Sequence, residues 1–81
     1  MARYGVSTKL SPEMILEKAA AFFGEDGLGL ELVERDPCCA SFKGGGGHVS
    51  LTVSEGERRT EVELETREWD YQVRQFINEI G

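Results

Sequence analysis

Four consecutive glycines, Gly44, Gly45, Gly46 and Gly47, stand between Lys43 and the chain's single histidine, His48. Runs of glycine let backbone amides turn inward around an anion, and the two flanking side chains would add charge at either end. That chemistry is anion or backbone recognition at a loop. Dinucleotide and P-loop fingerprints, however, set their glycines between a strand and a helix N-terminus, whereas here a second strand pattern follows the run. No Lys-Ser or Lys-Thr pair succeeds it either. The plainer reading is a flexible hairpin tip.

If that tip closes a hairpin, Lys43 faces His48, and Glu63 or Glu65 of the following strand lies beside the imidazole, depending on the last turn. A carboxylate orienting a histidine is the beginning of a proton-transfer device. The row has no nucleophile with a clear partner and no wall against water, so no residue is assigned as catalytic. Glu61, Glu63 and Glu65 alternate along one strand and diverge, whereas hard cations need oxygens that converge. Neither metal nor cofactor is expected. Cys38 and Cys39 are adjacent. On a strand, neighbours point to opposite faces, which predicts no bridge, with Cys38 inward beside Ala40 and Phe42 and Cys39 outward. Two cysteines and one histidine also fall short of the four ligands of a structural zinc site.

The elements that must position these groups follow from periodicity. Ser11-Pro12-Glu13 has the composition of a helix start: a capping hydroxyl, a proline at the first position and an early acid. Ile15, Ala19, Phe22 and Phe23 continue it as one apolar stripe, and Gly24 ends it by taking the left-handed conformation. The next forty residues change to period two and predict four strands. Their apolar faces are Leu28, Leu30 and Leu32; Cys38, Ala40 and Phe42; Val49, Leu51 and Val53; and Val62 and Leu64, preceded by Thr60.

Hydrophobic matching sets the registers, because a one-residue slip moves every side chain to the other face. A four-residue loop at Gly44–Gly47 pairs Lys43 with His48, Phe42 with Val49 and Ala40 with Leu51. A three-residue loop at Arg35-Asp36-Pro37 pairs Leu32 with Ala40 and Leu30 with Phe42. The last hairpin turns either on two residues at Glu55-Gly56 or on four ending at Arg58. A second helix follows, with Thr66 as its cap and Trp69, Val73, Phe76, Ile77 and Ile80 on its buried side; Tyr71 falls at the rim.

The fold class read from this order is α+β, a two-layer sandwich: a four-stranded antiparallel meander with N- and C-terminal helices on one face. Residues 1–10 form a flexible N-terminal segment, at most a short edge piece, and residues 11–81 the single domain. A helix on the second face would bury the glutamate row without partners.

The chain has 81 residues, nine Lys or Arg against fifteen Asp or Glu, and a net charge of −6. At this length roughly 60% of the surface is buried on folding, and a small-molecule cavity of ~300 Å³ would hollow out much of the core. The negative charge argues against nucleic acid and anionic membrane as partners. With no apolar run of membrane length and no signal-peptide core at the start, a cytoplasmic location is expected.

The leading functional expectation is a non-catalytic interaction or accessory module, with a second copy or another protein on the open sheet face. Ser41, Ser50 and Thr52 make the centre of that face small and flat, with Cys39 beside them. A strand could instead add to the edge offered by residues 28–33. The rival expectation is a small-ligand or anion binder, at most a weak enzyme, built from Lys43, the four glycines and His48.

Overall fold

Ser11 starts the first helix as its chemistry demands, its hydroxyl accepting from the Met14 amide at 3.2 Å with Pro12 in the first turn. This computed structural model describes residues 2–81. Helix α1 (Pro12–Phe23) buries Ile15, Leu16, Ala19 and Phe23. Gly24 does end it, but with φ −76°, so the left-handed explanation is corrected. A Cβ there would run into the Ala20 carbonyl, to which the Gly24 N–H donates at 3.0 Å.

The sheet has five antiparallel strands, not four. Strands β1 (Ala2–Thr8), β2 (Glu31–Asp36), β3 (Cys39–Gly44), β4 (Gly47–Glu55) and β5 (Thr60–Arg67) lie in the order β1-β5-β4-β3-β2. Residues 2–8, expected as a loose segment, pair along their whole length with β5, from Ala2 opposite Thr66 to Thr8 opposite Thr60. Side chains hold the strand in place. Tyr4 and Val6 pack on the core, the Tyr4 hydroxyl donates to Asp70 at 2.8 Å, and buried Thr8 donates to the Ile80 carbonyl. From the β4–β5 loop, Arg59 donates to both the hydroxyl and the carbonyl of Ser7 at 2.9 Å.

Helix α2 (Asp70–Ile80) buries Val73, Phe76 and Ile80. Thr66 is not its cap. It lies in β5, fully buried, and donates to the His48 carbonyl at 2.8 Å, a partner that removes the penalty for an interior hydroxyl. Trp69 occupies the cap position without a side-chain hydrogen bond to the helix.

Both helices contact the same sheet face, where Phe42, Val49, Leu51, Val53, Val62 and Leu64 are buried, α1 lying over β3 and β4 and α2 over β1 and β5. Phe23 links the layers, its ring centroid 5.6 Å from Phe42 and 5.2 Å from Phe76. Burial of such rings supplies the largest favourable share of so small a core.

Two registers are corrected. In the β2–β3 hairpin Asp36 faces Cys39, Arg35 faces Ala40 and Leu32 faces Phe42, so the turn is Pro37-Cys38 and a bulge near Val33 absorbs the extra residue. Glycine at position 29 (φ 81°) turns the chain beforehand, and Leu30 alone of the three leucines is buried, while Leu28 and Leu32 stay exposed. In the β4–β5 hairpin Glu55 faces Thr60 and Val53 faces Val62, which leaves the loop at residues 56–59, beyond either expected position. The parity is unchanged, so each strand keeps its apolar face inward.

Candidate functional site

Cross-strand pairing assembles the uncovered face of the sheet as parallel rows. At one end Glu31, Lys43, His48 and Arg67 line up across β2, β3, β4 and β5. The next row is Glu34, Ser41, Ser50, Glu65 and Arg3, and the one after it Asp36, Cys39, Thr52, Glu63 and Gly5. Beyond them, Ser54 pairs with Glu61 and Glu61 with Ser7. Directly paired residues share a face and sit about 5 Å apart at Cβ, so Ser41, Ser50 and Thr52 form one continuous low-relief centre.

The expected pairing of Lys43 with His48 is present, but the strand-five residue directly opposite His48 is Arg67. Glu65 approaches diagonally, its Oε1 3.8 Å from His48 Nε2, while its other oxygen lies 3.1 Å from Arg3. Arg3 also reaches Glu63 at 3.7 Å. The Arg3–Glu63 pair is largely solvated, which limits it to a fraction of a kcal/mol, of order ~0.5, whereas the side chains of His48 and Glu65 are only 33% and 30% exposed. The Arg3 contacts draw Glu63 and one oxygen of Glu65 toward β1, while the other oxygen of Glu65 faces His48 on β4.

The glycine run is tighter than a four-residue loop. Gly44 and Gly47 pair, leaving Gly45 (φ 58°) and Gly46 (φ 81°) as a two-residue turn, the backbone that matches the twist of a hairpin. The tip is docked against the start of α2. The Trp69 indole N–H donates to the Gly44 carbonyl at 2.9 Å, and a Cβ on Gly45 would come within 2.9 Å of the same ring. A Cβ on Gly47 would collide with the Arg67 carbonyl. Close approach of Leu30 to Gly44, of Trp69 to Gly45 and of β5 to Gly47, with the positive φ of the two turn residues, therefore accounts for this glycine content.

At the other end of β3 the sequence expectation is overturned: Cys38 and Cys39 are joined in a disulfide between neighbouring residues. The reason is local. Cys38 is not on the strand but at the second position of the Pro37-Cys38 turn, where the alternation of faces that would separate the two sulfurs does not hold. Cys38 is exposed and Cys39 half-buried, so neither belongs to the core. Asp36 accepts from the Cys38 amide at 3.0 Å, and its Oδ1 lies 3.0 Å from Cys38 Sγ. The signal for this cluster in the sequence is the string Asp-Pro-Cys-Cys, a turn former placed directly before two thiols.

No protein-family model matches the chain, and no curated protein matches it. Among solved structures it is similar to the solution structure of the Aha1 dimer from Colwellia psychrerythraea, with a TM-score of 0.62 and 15% identity over 99% of this chain and 96% of that one. At that identity the likeness establishes the architecture: a small α+β domain with an antiparallel sheet and two helices. No helix of the described residues is long and apolar enough to cross a membrane.

Proposed function

We propose that this chain is a non-catalytic interaction module that pairs with a second copy of itself through the uncovered face of the sheet. The observation that carries the reading is the one-sided packing. Both helices take one face, and the other presents Ser41, Ser50 and Thr52 at its centre with charge of opposite sign at its two ends. Lys43, His48 and Arg67 occupy one end, with Glu31 beside Lys43 at the β2 edge, and Glu61 and Glu63 lie toward the other. A twofold axis crossing the strands near Ser50 sets the basic end of each copy over the acidic end of the other, the self-complementarity an isologous dimer requires.

Scale supports a weak association. Five strands ~4.8 Å apart, each covering ~20 Å, give a face of about 500 Å² per copy, hence about 1,000 Å² in total, at the lower limit for a specific interface. The structural neighbour being a dimer is consistent with such pairing.

Sedimentation equilibrium over a wide concentration range tests the reading. The expected outcome is reversible doubling of mass, weakened by salt because the end rows are solvent-accessible. Ser50→Arg should abolish it, and Glu63→Lys should weaken it until Lys43→Glu is added. A single-chain mass at every concentration, or a dimer indifferent to Ser50→Arg, would overturn the proposal. Amide shifts confined to β2 would favour pairing at that edge, where Leu32 and Val33 are exposed.

A further inference from the structure

We infer that Asp36, Cys38 and Cys39 form a redox-gated site for a thiophilic divalent cation, closed as the disulfide and open as the dithiol. The inference is independent of self-pairing through the sheet face. With the sulfurs joined as the disulfide, one sulfur from each cysteine and one carboxylate oxygen of Asp36 lie within 4.8 Å of one another, at an exposed turn. Three donors on four consecutive residues converge there because the Pro37-Cys38 turn folds the chain back, and the Cys38 carbonyl, accepting from the Val53 amide at 2.8 Å, ties that turn to β4.

A structural role for the bridge is a poor explanation. Its two half-cystines are adjacent in sequence, so it ties no distant segments and closes almost no loop in the unfolded chain. Neither sulfur is buried with the core. Exposed disulfides of this kind are the labile ones, and in reducing compartments they are usually transient.

Opening the gate is a two-electron step. Two molecules of a low-molecular-weight thiol supply two electrons and two protons: the S–S bond breaks, Cys38 and Cys39 each gain an S–H, and the small thiol leaves as its own disulfide. A cation then displaces both thiol protons to solvent, because only the thiolate is a ligand. Two soft sulfurs with one carboxylate suit Zn²⁺ or Cd²⁺ and leave a fourth tetrahedral position for water. In the oxidised form the sulfurs are bonded to each other and the carboxylate stands alone. Asp36 is already aimed, since the Cys38 amide holds its Oδ1 at 3.0 Å.

Cadmium is the probe, since thiolate-to-cadmium charge transfer absorbs in the ultraviolet. The full chain is titrated with Cd²⁺ in oxidised and reduced forms, after alkylation and mass measurement have counted free thiols in each. The expected result is no free thiol before reduction and two after it, with one Cd²⁺ bound per chain only in the reduced form. Losing a second-sphere partner already weakens metal binding roughly 10- to 100-fold, so Asp36→Asn, which removes a direct donor, should weaken it at least about tenfold. Cys39→Ser should abolish it. Two free thiols in air-equilibrated protein would overturn the gating. No one-to-one absorption in the reduced chain, or equal affinity in Asp36→Asn, would overturn the three-donor site. Unchanged melting of the variants shows that the loss is not unfolding.

Discussion

Strand β3 ends in a two-residue turn on either side, and the two turns behave oppositely. Beside Gly45-Gly46 the backbone is pinned although the two glycines are exposed: the Trp69 indole donates to Gly44, the ring leaves no space for a side chain on Gly45, and the Arg67 carbonyl leaves none beside Gly47. At Pro37-Cys38 the chain is exposed, its side-chain polar contacts stay within the turn, one backbone bond from the Val53 amide to the Cys38 carbonyl ties it to β4, and it carries two sulfurs and a carboxylate in reach of one another. Reactive-looking composition and reactive placement are therefore different things. The glycine run that suggests an anion cradle serves helix docking, whereas the adjacent cysteines, which strand periodicity would separate, are brought together.

Four substitutions sharpen this contrast, and each is read by chemical denaturation. Trp69→Ala removes a ring that packs on the core and the glycine tip, and should destabilise the fold by about 3 kcal/mol, the low end for a large aromatic because Trp69 is only partly buried. Gly47→Ala forces a methyl against the Arg67 backbone and should lose about 2 kcal/mol, within the overpacking range. Trp69→Phe keeps most of the ring but leaves the Gly44 carbonyl without its donor, an expected loss of about 1 kcal/mol. Replacing both cysteines by serine at the opposite turn should change stability by less than about 0.5 kcal/mol, as for surface sites generally. If the double serine variant lost as much as Gly47→Ala, the cysteine turn would be a structural staple and the contrast would fail.

Legibility in the sequence varied with how directly a local rule set the outcome. The start of α1 and the pairing of Lys43 with His48 were legible because a cap and a run of alternating apolar residues each admit one arrangement. Strand β1 carried the same kind of signal, Ala2, Tyr4, Val6 and Thr8 alternating with Arg3, Gly5 and Ser7, but Gly5 and the polar Thr8 masked it. Thr8 is buried because Ile80, 72 residues away, offers a carbonyl, and no local pattern shows that. Thr66 misled for the same reason, its hydroxyl serving β4 and not the helix that follows. Of the residues singled out for a site, Ser41, Ser50 and Thr52 do share the open face, while Lys43 and His48 sit at its end with Arg67, which the alternative turns did not bring there.

Sequence alone determined the layers: the periods of 3.6 and 2 and the acidic balance leave little choice but apolar-faced helices on an apolar-faced sheet, because burying the glutamate rows would desolvate charge without partners. Tertiary structure decided what those layers expose. Hydrogen bonds from Tyr4, Thr8 and Trp69 to groups at least 25 residues away fixed the fifth strand and the glycine tip. Pairing of Asp36 with Cys39 placed Cys38 at a turn, and a bulge near Val33 absorbed the extra residue. Such outcomes depend on which distant donor meets which acceptor, and that is settled only when the chain has packed.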